Sequence, residues 1–314
     1  MTSIKSRIFN FVITHSYLLR GRLKKEVFDD QTSIPAFRDR CEKGAARYAK
    51  LPQGVTVKSQ IAEGLKSEWL IPENSPTDKV ILYVHGGGYV SGSCSDHRNF
   101  VSKFAKSTGI KCLIYEYRLA PEHPFPAALD DSVKMYNYLL TSGYKPKDIV
   151  IAGESAGGGL TLALLLALKR EKISMPSAAV AISPWTDLTC SSESYTTKNK
   201  LSPAPLNSWF VFSKHYVGKN KADNPLISPL FGDLKELPPI FINSGENDEL
   251  FEDGEKFAKK AVKAGVDITF RKGSGMIHCY PLLAPMFPEA TEAMNEIVHF
   301  IRKHLNPEDN ETSN

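Results

Sequence analysis

The chain offers no cysteine framework. Its five cysteines, Cys41, Cys94, Cys112, Cys190 and Cys279, are odd in number and none falls in a Cys-x-x-Cys spacing. This argues against both a disulfide scaffold and a zinc site, and a reducing cytoplasm is the expected location. An excess of one charge is also lacking. With 39 basic and 35 acidic side chains the net charge is +4, dispersed apart from the run Arg20–Lys25, so no nucleic-acid partner is indicated. No apolar run reaches the roughly eighteen residues a membrane span requires. The stretch Ile8–Leu19 is interrupted by Asn10, Thr14, His15 and Ser16 with no small-residue cleavage site after it, and Leu160–Leu168 is too short. Stable membrane insertion is therefore not expected. Internal repeats and low-complexity segments are missing as well, and only the polar, acidic tail 306–314 reads as disordered.

What remains is enough chain, 314 residues, for one large α/β domain with additions. From Lys79 onward strands and helices alternate. The strands are predicted at Val80–Val84, Lys111–Tyr117, Ile149–Ala152, Ala178–Ile182, Pro239–Ser244 and Asp267–Arg271. Helices are predicted near His97–Ser107, at Pro126–Thr141, from Ser155 to about Lys169, near Leu206–Tyr216, at Phe251–Ala264 and at Glu289–His304. Such alternation gives a mostly parallel sheet with helices on both faces, and Val55–Ile61 with Glu68–Ile71 should add antiparallel strands at one edge. Two segments stand outside the pattern. Residues 1–50 read as an N-terminal helical cap ahead of a catalytic domain at 51–305, with 186–225 adding to the cap. In the first segment Ile8, Phe11, Val12, Tyr17, Leu18 and Val27 recur at helical spacing, which predicts an apolar face packed on the strand ends.

Two short strings carry chemistry. Gly153-Glu154-Ser155-Ala156-Gly157 follows a predicted strand and opens a helix, the setting in which Gly-x-Ser-x-Gly lifts a serine hydroxyl clear of a sharp turn. Alone it is weak, since composition produces it in roughly one chain of this length in ten. His85-Gly86-Gly87-Gly88, also after a strand, is far rarer and supplies backbone N–H groups that an acyl oxygen can approach. A serine needs a base, and the base needs an orienting acid; in this type of sheet they follow in the order Ser, acid, His. Of the histidines downstream, His299 and His304 fall in the last helix and His215 in another helix, whereas His278 lies on a loop after a strand. The acid should leave the preceding strand, where Asp248 leads and Glu246 and Glu249 sit in poorer register. The other carboxylates there suit a helix N-terminus. Ala156, Gly87 and Gly88 are the expected oxyanion donors, with His85 bracing the glycine loop.

With these residues in place the chain resembles the hormone-sensitive lipase family of α/β-hydrolases, from about Lys79 to the final helix. Tyr117–Ala128, Ser183-Pro184-Trp185-Thr186-Asp187 and Asp248-x-Leu250 add to the resemblance. It implies a triad of Ser155, Asp248 and His278, oxyanion donors at Gly87, Gly88 and Ala156, a helical cap, and hydrolysis of short- to medium-chain carboxylic esters without metal or cofactor. Two departures stand out: Glu154 occupies a position where similar members carry Asp, and Cys279 one where glycine is common. The expected partner is a small-molecule ester, and a homodimer is compatible with the sequence. Amidase, deacetylase or lactonase activity would use the same triad. A non-catalytic small-molecule receptor on the same scaffold is the alternative of another class, and it would be expected to lack a triad member.

Overall fold

The computed structural model describes residues 2–19, 21, 23–46 and 50–305; the tail 306–314 lies outside them. Its strands are β1 (Val55–Ala62), β2 (Leu65–Pro72), β3 (Val80–Val84), β4 (Cys112–Tyr115), β5 (Ile149–Glu154), β6 (Ala178–Ile182), β7 (Ile240–Gly245) and β8 (Ile268–Gly273). They form one sheet in the order β1-β2-β4-β3-β5-β6-β7-β8. The β1–β2 and β2–β4 pairings are antiparallel and all the others are parallel. The helices are α1 (Ile4–Thr14), α2 (Ser16–Leu19), α3 (Ile34–Ala46), α4 (Cys94–Thr108), α5 (Ala127–Thr141), α6 (Ala156–Glu171), α7 (Ser194–Thr197), α8 (Ser208–Val217), α9 (Phe251–Lys263) and α10 (Pro288–Leu305).

The strand sequences follow from their position between two helical layers. Along β3, Val80, Leu82 and Val84 enter the core shared with α5, α6 and α9, while Ile81 and Tyr83 enter the one shared with α4 and α10. A pleated strand alternates its side chains between faces, so covering both faces leaves no place for a polar residue. α6 has the same constraint in helical form: every residue from Ala156 to Leu168 is buried, which explains its all-round apolar character. α9 instead shows one apolar stripe, through Phe257, Ala258 and Ala261, with lysines and acids outside it.

The topology fixes where a ligand would bind. From β3 the chain crosses to β4 on one side and then returns to β5 on the other, so a crevice opens at the C-terminal ends of β3 and β5. Both glycine motifs lie there.

One expectation is reversed. Ile8, Phe11, Val12, Leu18 and Val27 are exposed rather than packed on the strand ends, and Tyr17 is half-buried. α1 turns its small polar residues inward instead. Ser6 bonds Glu289, Asn10 Nδ2 donates to Gly275 O at 2.9 Å, and Thr14 Oγ1 donates to Leu201 O at 3.0 Å. An apolar face in that position would strand these acceptors without partners, a cost of about 1–3 kcal/mol for each one buried.

Candidate active site

Ser155 stands at the junction of β5 and α6 with φ 59° and ψ −125°, a conformation that a non-glycine residue holds only when its surroundings impose it. The imposition is visible at Gly157. A Cβ there would lie 2.2 Å from Val84 O and 2.3 Å from His85 O, so only glycine lets the turn press this closely on β3.

His278 and Asp248 meet across neighbouring strand ends, after β8 and β7. Asp248 Oδ2 accepts from His278 Nδ1 at 2.8 Å, and the carboxylate is fully buried. The loop carrying His278 reaches back over β6, where Cys279 N–H donates to Ser183 Oγ at 3.0 Å and Cys279 Sγ lies 3.9 Å from Ile182 O. The same Ile182 carbonyl accepts from Ser155 N–H at 2.8 Å. The serine turn and the histidine loop therefore converge on the end of one strand. Burial alone would favour neutral imidazole in His278, but the adjoining Asp248 carboxylate outweighs it and holds the pKa well above the usual 6.5.

The competing acids go elsewhere. Glu246 pairs with Lys272 at 2.6 Å and accepts from Gly275 N–H, Glu249 accepts from Trp209 Nε1 at 2.8 Å, and Glu252 pairs with Lys256. Asp253, fully buried, accepts from Thr186 N–H, Asp187 N–H and the Tyr195 hydroxyl.

Gly87 and Gly88 follow β3 with φ of 109° and 65°. The Gly87 carbonyl is occupied by Ser91 N–H at 2.9 Å, which fixes the loop. Among the described residues no acceptor takes up the N–H of Gly87, Gly88 or Ala156, so all three donors are left for a ligand. A Cβ on Gly88 would meet the Phe212 ring at 2.4 Å, so α8 seals this loop from outside. α8 covers the histidine too, with Trp209 edge-on to His278 at 5.5 Å between ring centroids. Phe28 and Phe37, from the N-terminal segment, pack edge-on or tilted against Phe212. Arg38 of α3 binds Val90 O and Glu122 beside the same loop.

Beneath the glycine loop lies a buried relay that sequence reasoning did not find. Glu154 Oε1 accepts from Gly86 N–H at 2.7 Å and from His97 Nε2 at 3.1 Å, and His97 Nδ1 donates to Asp96. Burial would lower the His97 pKa, yet the two carboxylates lift it to about 10. His97 is thus imidazolium at neutral pH. The stabilisation from this raised pKa is complete below the unfolded value of about 6.5 and is lost as pH climbs through about 10. His85, stacked on Tyr117 at 4.1 Å and near His97 at 5.0 Å, is pushed by burial down to about 4 and stays neutral. Its Nδ1 bonds Gly86 O at 2.8 Å, in keeping with a bracing part. The only sequence sign of the relay was Ser93-x-x-Asp96, a capping box that starts α4 and orients His97.

The profile of the α/β-hydrolase fold family matches residues 81–282. The chain belongs to this family. An acetyl-hydrolase from Streptomyces hygroscopicus is 37% identical over 240 residues, spanning 75% of this chain and 79% of that protein. An esterase from Acinetobacter venetianus is 37% identical over 256 residues, 79% and 83% of the respective chains. A hormone-sensitive lipase from a metagenome library superposes with a TM-score of 0.89 at 31% identity, covering 98% of this hydrolase and 100% of that structure. Within the family, this hydrolase is of the hormone-sensitive lipase type.

Proposed function

We propose that this chain, a carboxylic ester hydrolase by family, works through Ser155 as nucleophile, His278 as base and Asp248 as orienting acid. The carrying observation is the 2.8 Å bond from His278 Nδ1 to buried Asp248, which leaves Nε2 as the ring nitrogen free to take a proton. Ser155 attacks the ester carbonyl, and His278 accepts its proton and returns it to the departing alcohol. Water then repeats the sequence on the acyl-enzyme. The N–H groups of Gly87, Gly88 and Ala156 would hold the oxyanion, the last at the positive end of the buried helix α6. The helices outside the alternation act as the cap, since α8, Phe28 and α3 lie over the glycine loop. Trp209 beside His278 and Phe212 beside the glycine loop narrow the site, which favours short acyl groups, in keeping with relatives named acetyl-hydrolase and esterase.

Turnover of p-nitrophenyl esters from acetyl to dodecanoyl, alongside the matching anilides, tests this reading. Ester kcat/KM should peak at short chains and fall by about tenfold or more at dodecanoyl, with anilides at least about a hundredfold slower. Anilides matching the esters would make it an amidase, and no turnover of either would restore the receptor alternative.

Glu154 and His97 act here as positioning residues. Replacing Glu154 with Ala frees Gly86 N–H and loosens the donors beside it. Since one oxyanion donor is worth about a hundredfold or more in kcat, a misaligned loop should cost roughly tenfold to a hundredfold with KM little changed. Glu154→Gln, which keeps an acceptor for Gly86, should recover much of it. An unchanged kcat in the alanine variant would show that the relay is packing alone.

A further inference from the structure

The orientation of α1 is left unexplained by anything at Ser155. Ile4, Ile8, Phe11 and Val12, exposed by 74, 61, 63 and 43%, form one stripe on the side away from the protein. Ser6, Asn10 and Thr14 make the hydrogen bonds on the protein side, with Phe9 tilted against Phe287 at 5.4 Å between centroids. At about 100° per residue, Lys5 and Arg7 fall at the two borders of the stripe. Both are exposed, and α1 contains no acid.

Charge supports the same reading. The first 25 residues hold six Lys or Arg and no Asp or Glu, in a chain whose net charge is only +4, so without them the protein would be net negative. Leu18 and Leu23, exposed by 49 and 91%, extend the apolar surface into the basic run. An apolar stripe bordered on both sides by cations fits the boundary between acyl chains and anionic headgroups. A second copy of the chain fits poorly, because a two-fold contact would set these cations against their own counterparts with no acid in the segment to meet them. An 11-residue helix is also far too short to span a bilayer, and no described helix is long and apolar enough to do so.

We propose that the outer face of α1 is a docking surface for anionic lipid, with the helix lying in the plane of the headgroups and binding reversibly.

The test is cosedimentation of the full chain with vesicles of phosphatidylcholine, with or without 30 mol% phosphatidylglycerol, at about 0.1 M salt, where charge attraction still reaches the surface. The protein should bind the anionic vesicles, bind pure phosphatidylcholine weakly, and be released at high salt. Each basic residue near such a surface contributes about fivefold to partitioning. Lys5→Glu with Arg7→Glu should therefore cut binding by more than about tenfold. Ile8→Ser with Phe11→Ser should do likewise, with circular dichroism unaltered in both pairs. No binding to anionic vesicles, or equal binding by wild type and both variants, would overturn the proposal. A wild-type dimer by light scattering that the serine pair dissociates, with no vesicle binding, would also overturn it and identify the stripe as a contact between copies.

Discussion

Ser155→Ala is expected to lower kcat by about 10⁵- to 10⁶-fold while leaving the protein folded. The size follows from the mechanism, because an acyl-enzyme cannot form without the hydroxyl and only the oxyanion donors and binding remain to act on the ester. Folding should survive because the strain belongs to the backbone: φ 59° is imposed by the packing of Gly157 on Val84 O, and alanine meets the same constraint as serine. Substrate affinity should persist too, so an unreactive ester analogue should bind the variant about as well as wild type. Measurements of kcat by stopped assay, with thermal unfolding as the fold control, would decide it. Near-normal turnover by a folded Ser155→Ala protein would remove Ser155 from the chemistry.

How far such expectations could be drawn from the chain itself varied with the physics involved. The parallel strands were legible because burial on both faces forces continuous apolar runs, and Val80–Val84 and Ala178–Ile182 match the observed β3 and β6 to the residue. The strand before Ser155 extends to Glu154, two residues beyond the predicted end, because Gly153 and Glu154 keep pairing with Ala181 and Ile182 despite their low strand propensity. The order Ser, acid, His leaves one loop histidine as the expected base, and the contact between His278 and Asp248 lies where strand ends β7 and β8 adjoin. The relay of Asp96, His97 and Glu154 was not legible. Its members come from α4 and the end of β5, distant in sequence, and no spacing rule announces a contact made across the sheet end. α1 shows a different limit. Its periodicity reveals a stripe through Ile8, Phe11 and Val12, but not which side faces the protein. That was decided by carbonyls at Gly275 and Leu201 and by Glu289, all of which demand polar partners.

Asp248→Asn is expected to lower kcat by about 10⁴-fold, against little change for Glu252→Gln, and to move the pH profile downward. The loss arises from tautomer control. The carboxylate accepts from Nδ1–H and so keeps Nε2 unprotonated and able to take a proton, whereas an asparagine amide can donate to Nδ1 and put the proton on the wrong nitrogen. Glu252 pairs with Lys256 near the surface and touches neither ring nitrogen. The profile carries an independent signature. His278 acts as base only when neutral, and Asp248 raises its pKa well above 6.5, so wild-type kcat/KM should climb with pH through an apparent midpoint above that value. Removing the carboxylate withdraws the attraction that stabilises imidazolium while burial still opposes it, so the residual activity should titrate at lower pH than wild type. Stability shifts in the corresponding sense. A raised folded-state pKa makes charged His278 stabilising below about 6.5, and that contribution fades as pH rises through the folded value, so the variant should lose most of its stability on the acid side. Two results would exclude this account of the acid: a variant whose midpoint stays at the wild-type position, or a Glu252→Gln protein as damaged as Asp248→Asn.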